Sequence, residues 1–422
     1  MATCVMRTGW RASGGMSRYS SIFPKTWPNA PACLSVPNSI IIHTQRRSLL
    51  VLPYGLDVAL VSVTAYFLTK LRRPEPLNVV NIFGPEPGSR EGETHPEKVI
   101  KCIAHRGAGL DAPENTLAAF KYCVEHDCNM VELDVRTSRD GKLVLLHDQG
   151  LQRLTGNDIS NIHTIDWDKI KNYDVGQTHP NKDKYKDVHL CLLDEALDYL
   201  LQNQMKIIID VKGEDKEVVN GIVNTFAKRP KLYACAAVTC FNPFILYQIR
   251  KQDPQIVGAL SYRPYCFSAQ DYDADTGPTN FRYGSNLALH SLLRVADVAH
   301  ALLWRWSARW CNVSAVLLHK DIVSPSEISY WRSLGIRCAG WCVNRPIEKL
   351  YWRGVLKAPY LANTLLGEPE VNKKSQEQKR FIFSLITRCR IKKSDFLKKS
   401  PNSIEPPRIH SNHKFAEFNN LL

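Results

Sequence analysis

Between about residue 99 and residue 368 the sequence repeats one rhythm, and that rhythm constrains the fold more than any other feature. Short apolar runs alternate with helical stretches. "KVIKCIAH" is followed by "ENTLAAFKYCVEHD", and "MVELDVRT" by "GKLVLLHD" across a turn at Arg139-Asp140-Gly141. Then come "KIIIDVKG", "AAVTCFN", "QIVGALSYR", "VSAVLLHKD", "GIRCAGWCVN" and "APYLANTL", with helical patterns at Asp215–Lys228, Pro243–Lys251 and Pro325–Leu334. Apolar strands separated by helices form parallel βαβ units. About eight such units in roughly 250 residues fit an α/β fold of the (β/α)8 TIM-barrel type. An open doubly wound sheet is the alternative, but the glycine-rich phosphate loop expected of it is missing.

The rhythm breaks at residues 264–312, which read as a late insertion. Its second half, Asn286–Trp310, has helical spacing and carries Trp304, Trp306 and Trp310 near its end. It is either an extra helix packed on the barrel, or a lid or membrane-facing element near the mouth.

Outside the barrel, composition takes over. The net charge of +14 is concentrated in the ends, since residues 1–73 and 371–422 each carry a surplus of eight positive charges. Basic ends favour anionic membrane surfaces before nucleic acid, and no nucleic-acid motif accompanies them. Residues 1–48 hold no acid; a targeting presequence is conceivable there, although Pro24, Pro28, Pro31 and Pro37 interrupt any long amphipathic helix. Residues 49–70 are apolar enough for a transmembrane helix despite Pro53 and Asp57. Residues 71–98 read as a linker and 369–422 as a basic, disordered tail. The expected location is a membrane, crossed once. Asn312-Val313-Ser314 is a glycosylation sequon, usable only if the barrel is lumenal or extracellular.

In a barrel the chemistry sits at the C-terminal ends of the strands. Those ends carry His105-Arg106, Glu132 and Asp134, His147-Asp148, Asp210 and Lys212, Cys240-Phe241, His319-Lys320, and Trp341 with Asn344. Glu132 and Asp134 are two apart and so share one face of their strand. Two carboxylates aimed into one mouth repel unless a proton or cation intervenes. Oxygen ligands select a hard divalent ion, Mg²⁺ or Ca²⁺. Asp210 adds a third carboxylate and Lys212 a cation. Histidines, carboxylates, an arginine and a lysine together suit phosphoester chemistry.

The motifs "AHRG…PENT", "ELDV…DGKLVLLHD", "IDVK" and "GWCVN" resemble the glycerophosphodiester phosphodiesterases, in order and spacing, from about Cys102 to Leu365. The resemblance implies hydrolysis of glycerophosphodiesters to sn-glycerol 3-phosphate and an alcohol, such as inositol or an N-acylethanolamine. It implies a divalent metal on Glu132, Asp134 and Asp210, and His105 and His147 as the catalytic acid–base pair. Arg106 and Lys212 would hold the phosphate, with Phe241, Trp341 and Asn344 as further substrate contacts. The implied route passes through a cyclic phosphate that water opens. The implied partners are a small glycerophosphodiester and membrane lipids. Lysophospholipase D activity is the nearest alternative. A phosphatidylinositol-type phospholipase C is disfavoured by the carboxylates, and an inactive membrane-anchored binding protein by the intact set of histidines and acids. Two departures stand out. Asn363 replaces a usual Asp and is expected to affect local capping rather than catalysis, and Cys240 replaces a usual Ser and is expected on the pocket wall. Asn115 is expected to cap the first barrel helix, with Glu114 as a weak site candidate.

Overall fold

A computed structural model describes residues 60–367, apart from 274. The expected N-terminal region 1–48, the first half of the segment 49–70 and the tail 369–422 lie outside the described residues. The chain divides into two units, residues 1–65 and 66–422, and the barrel belongs to the second.

Eight parallel strands close on themselves: β1 (Cys102–Ala104), β2 (Met130–Thr137), β4 (Lys206–Val211), β5 (Ala236–Cys240), β6 (Val257–Tyr262), β9 (Ala315–His319), β10 (Arg337–Trp341) and β11 (Tyr360–Ala362). Pairing of β1 with both β2 and β11 completes the ring. β3 (Leu143–Leu145) runs antiparallel on β2 as the partner of the Gly141 turn. A separate hairpin, β7 (Ala269–Asp273) with β8 (Gly277–Phe281), belongs to the insertion. The principal helices are α1 (Pro76–Phe83), α2 (Leu117–Glu125), α3 (Leu193–Gln202), α4 (Lys216–Lys228), α5 (Pro243–Gln252), α6 (Leu287–Trp310), α7 (Pro325–Ser333) and α8 (Pro346–Tyr351). The TIM-barrel expectation therefore holds.

Strand alternation sorts the core into two shells. On β4, Ile207 and Ile209 join the outer core beneath the helices, while Ile208 joins the inner core. On β2, Val131, Leu133 and Val135 point outward and Met130 inward. Each inner row starts apolar at the floor and ends polar at the mouth, because side chains two apart share a face. Thus Ile103 leads to His105, Met130 to Glu132 and Asp134, and Ile208 to Asp210. The apolar floor supplies burial free energy and the polar mouth supplies the site.

The stretch read as a linker, residues 71–98, is folded instead. Its helix α1 places Ile82 and Phe83 in the inner core, against Ile100 and Ile103, so it stoppers the barrel floor. Composition hides this because α1 is short and opens on Pro76, which suits a first helical turn as well as a loop. Segment 69–73 is held too: Leu71 N donates to Trp310 O at 3.1 Å, and Arg250 Nη2 to Arg72 O at 2.7 Å. Asn312 of the sequon is part of this seam, accepting from Arg73 Nε at 3.1 Å and donating to Leu71 O at 3.0 Å.

The insertion divides into two parts. Its hairpin reaches the mouth, where Asn344 Nδ2 donates to Asp275 Oδ1 at 3.4 Å. Its helix α6 lies along the barrel side, with Trp304 and Ala308 buried in the outer core.

Candidate active site

Three carboxylates stand together at the mouth. Ligand oxygens of Glu132, Asp134 and Asp210 all lie within 4.8 Å of one another, and all three residues are buried. Register explains the proximity: Asp134 and Asp210 are direct partners across the β2–β4 ladder. Burial and the two neighbouring acids push the Glu132 carboxyl well above its ordinary value, and burial raises Asp210 as well. Burial would also raise Asp134, but the Lys212 ammonium and Arg106 guanidinium overcome it and hold that carboxyl below its usual range. Lys212 Nζ sits 2.6 Å from Asp210 Oδ2 and 3.1 Å from Asp134 Oδ1.

A divalent cation fits this donor set. All three donors are hard oxygens, and Asp210 Oδ1 is buried without a hydrogen-bond partner. Two side-chain cations, Lys212 and Arg106, against three acids leave a local negative excess that a bound cation would offset.

The loop after β1 is shaped to bring backbone and side chain onto these acids. Arg106, Gly107, Ala108 and Asn115 all have positive φ. Gly107 has φ +75°, and a Cβ there would stand 2.8 Å from the Ala119 Cβ, so glycine is required for α2 to pack this closely. The turn lets Arg106 N donate to Glu132 Oε2 at 2.9 Å while its guanidinium lies 3.5 Å from Asp134 and 3.2 Å from Glu114. Asn115 does not cap α2. Its side chain bonds Asp134 twice, Nδ2 to Oδ2 at 2.8 Å and Oδ1 from the backbone N at 2.9 Å. Thr116 is the cap, accepting from Ala119 N at 3.2 Å. The polar run "PENT" allows either assignment, and the left-handed φ of Asn115 decides it by turning its amide inward.

The histidines occupy opposite environments. His105 is buried, with Nε2 3.8 Å from Glu132 Oε2 and Nδ1 2.5 Å from Asn363 Oδ1. Burial, reinforced by the nearby Arg106 charge, lowers its pKa to about 3, so the ring is neutral at physiological pH. His147 is one-third exposed, and its Nδ1 meets Asp148 Oδ1 at 2.8 Å. Asp148 in turn receives Arg153 Nε at 2.6 Å, and Arg153 also grips Glu114 at 2.7 Å.

Two departures from the resemblance take on different meanings. Asn363 is no capping residue, because it contacts His105 directly. Cys240 does not line the pocket: it is buried in the outer core, and its Sγ donates to Asn242 O at 2.9 Å. The inward residues of β5 are Ala237, in the inner core, and Thr239, bonded to Ser261 at 3.0 Å.

Of the remaining expected contacts, Phe241 and Trp341 form one wall. Phe241 lies edge-on to Trp341 with centroids 5.8 Å apart, and Lys212 Nζ lies 5.3 Å over the Phe241 ring. Trp341 is anchored by its Nε1 to Leu317 O at 3.1 Å and packs on His319. Asn344 accepts from Asn363 N at 2.8 Å, so it supports the loop behind His105. Sequence reasoning passed over Arg136, whose Nε and Nη2 donate to His147 O at 3.0 and 2.9 Å and whose Nη1 donates to Lys212 O at 3.3 Å. It ties the ends of β3 and β4 together. Arg153 was passed over as well. Its one signal is position, five residues past the "HD" pair.

A closed eight-strand barrel with buried carboxylates, paired cations and two histidines at its mouth has the makings of a phosphoester hydrolase. Against known families, residues 105–359 match the Glycerophosphoryl diester phosphodiesterase family, and the chain belongs to it. Among curated proteins it is 30% identical to human glycerophosphodiester phosphodiesterase 1 over 294 residues, 68% of this chain and 85% of that protein. The mouse protein of the same name is 31% identical over 292 residues. Among solved structures, a phosphodiesterase of Oleispira antarctica in complex with the product sn-glycerol-3-phosphate superposes with a TM-score of 0.50 at 19% identity. It covers 62% of this chain and 92% of that one, and the likeness supports the barrel fold.

Proposed function

We propose that the chain hydrolyses small glycerophosphodiesters, glycerophosphoinositol or glycerophospho-N-acylethanolamines, releasing sn-glycerol 3-phosphate and an alcohol. The observation that carries this reading is the buried cluster of Glu132, Asp134 and Asp210, with a buried His105 and a part-exposed His147 at the same barrel mouth. Glu132, Asp134 and Asp210 would hold a divalent ion, Mg²⁺ or Ca²⁺. When bound, that ion supplies positive charge against the phosphate oxygens.

The side chains divide the remaining work. Arg106 and Lys212 hold the phosphate beside the acids. His105 is neutral, and with Nδ1–H donated to Asn363 Oδ1 its Nε2 lone pair faces the site to accept a proton from the attacking hydroxyl. His147, its Nδ1 held by Asp148, gives its Nε2 proton to the leaving alcohol; when water opens the resulting cyclic phosphate, His147 takes a proton from the water and His105 gives its own to the ring oxygen that leaves phosphorus, which restores both. Phe241 and Trp341 form an aromatic wall along one side. The hard donors and cations fit the phosphate that these diesters share.

The membrane location is part of the same proposal, with the apolar segment 49–70 as anchor and the barrel on the lumenal or extracellular side. The test is turnover of glycerophosphoinositol by the full chain with Mg²⁺ or Ca²⁺, abolished by EDTA. His105→Ala with full activity would sink the assignment. Vesicle-borne lysophospholipid, assayed beside it, addresses the lysophospholipase D alternative.

A further inference from the structure

Helix α6 is inside out. A helix on a soluble barrel normally buries its apolar stripe and exposes its charges. Here Leu292, Val295, Val298, Leu302 and Leu303 are each 62–65% exposed, while Asp297 is buried. From Leu287 to Trp306 the outward face carries no charge. An uninterrupted apolar stripe of this length is an interaction surface.

By length and composition this helix is able to cross a membrane, and it is the one helix among the described residues that is. Its tethers argue against crossing. Asp297 accepts from Phe267 N at 2.8 Å and from Ser268 Oγ at 2.5 Å. Trp304 Nε1 donates to Ser261 O at 3.1 Å, and Arg305 pairs with both Glu327 oxygens at 2.7 Å. Trp304 also packs edge-on against Trp331 with centroids 5.7 Å apart. Spanning would strand a buried carboxylate and an arginine in hydrocarbon, so one face must stay on the protein.

The far end of the stripe is aromatic and basic. Trp306 stacks on Trp310 at 5.5 Å, Trp310 on Tyr247 at 4.2 Å, and Tyr66 leans on Trp306 at 5.7 Å. Beside them Phe67, Leu68 and Phe244 are each more than 60% exposed. This end carries Lys70, Arg72, Arg73 and Arg309, and the single acid of the two segments that build the patch, residues 66–73 and 287–310, is the inward Asp297. Apolar face, tryptophan cluster and cationic flank match the layers of an anionic bilayer surface: acyl boundary, headgroup level and phosphate.

We infer that the outer face of α6, continued by Tyr66–Leu68 and Phe244, lies flat in the interface of an anionic lipid bilayer without crossing it. Because α6 starts beside the hairpin that reaches Asn344, this seat holds the mouth at the membrane surface and selects diesters whose alcohol carries an acyl chain. The inference rests on the phosphodiesterase reading for its substrate and on the exposed face for its geometry.

The test uses the full chain in vesicles of equimolar phosphatidylcholine and phosphatidylserine. Photoactivatable lipids carry the reactive group either near the glycerol backbone or at the acyl terminus. The shallow probe should label peptides at Val295, Val298 and Leu302, and the deep probe should leave α6 unlabelled. Labelling of Asp297 or Trp304 by the deep probe would mean spanning and overturn the inference. Protein–protein crosslinks at α6 in place of lipid adducts would overturn it too, by assigning the face to a second copy or to the chain's own tail. In a second arm, Val298→Asp/Leu302→Asp should keep glycerophosphoinositol turnover within about twofold, as surface changes do. Turnover of vesicle-borne glycerophospho-N-acylethanolamine should drop about tenfold or more, from lost apolar transfer. Equal effects on both substrates would defeat the idea. Failure of the unsubstituted chain to turn over either substrate would strike the hydrolase reading alone, and the lipid labelling would still decide the seat.

Discussion

Asn363 and His105 are 258 residues apart in sequence, yet Asn363 Oδ1 meets His105 Nδ1 at 2.5 Å. The amide oxygen accepts the hydrogen bond of Nδ1–H and so leaves Nε2 as the basic nitrogen, which faces Glu132. Asn363→Ala should lower kcat about 10- to 100-fold with little change in KM, the usual scale for losing an orienting partner. Asn363→Asp should recover much of the loss. Steady-state kinetics of the two variants checks this, and an unchanged kcat in the alanine variant would contradict the orienting role.

Arg153 acts at one remove from the chemistry. It holds Asp148, which holds His147, and it clamps Glu114 behind Arg106. Arg153→Ala should cut kcat about tenfold or more while leaving divalent-ion affinity intact, since it touches none of the three acids. Isothermal titration with Mg²⁺ or Ca²⁺ beside an activity assay separates the two quantities. A parallel loss of metal binding would show that Arg153 supports the whole mouth instead.

Metal binding has a readout independent of turnover. A divalent ion at about 100 times its Kd should stabilise the fold by about 2.7 kcal/mol. The Glu132→Gln/Asp210→Asn variant should lose that increment in thermal unfolding. If it keeps the full shift, the ion binds elsewhere.

Stability should fall in mild acid for an identifiable reason. His105, His179 and His300 are all depressed below the ordinary histidine value, each chiefly by burial. The unfolded chain therefore takes up protons at these sites first. Their stabilising contribution is complete above the unfolded histidine value of about 6.5 and is lost as pH falls below it. For His105 the loss extends down to about pH 3. Glu132 and Asp210 oppose this, because their raised values make a contribution that fades as pH rises past the ordinary carboxylate range. The histidine part is read by difference. His300→Phe, which keeps a ring among Tyr262 and Phe267, should flatten the acid side of the melting profile. A slope identical to that of the unsubstituted chain would rule His300 out.

One backbone position should tolerate no side chain. A Cβ at Gly340 on β10 would lie 2.0 Å from the Trp352 indole, which is itself buried. Gly340→Ala should destabilise the chain by about 1–3 kcal/mol through overpacking. Chemical denaturation measures it, and restoration by Gly340→Ala/Trp352→Leu would assign the cost to that contact.

How far the sequence reaches is visible residue by residue. Period-2 patterning is local, so it was enough to place Glu132 with Asp134 on one face, and Asp210 with Lys212 on another. The strand ends exposed His105 and His147 in the same way, and the tandem of strands and helices implied a barrel. What local pattern cannot carry is register. Only the ladder sets Asp134 opposite Asp210, and only closure of β1 onto β11 brings Asn363 to His105. The turn conformation of Asn115, the docking of α1 beneath the floor, and the outward-facing leucines of α6 likewise depend on contacts between distant segments. By itself the sequence determined the chemical inventory and the architecture that lines it up, because both follow from short-range periodicity. Tertiary structure alone decided which donor orients which histidine, and which face of an apolar helix is left for a membrane, because each is a long-range packing choice that no local pattern encodes.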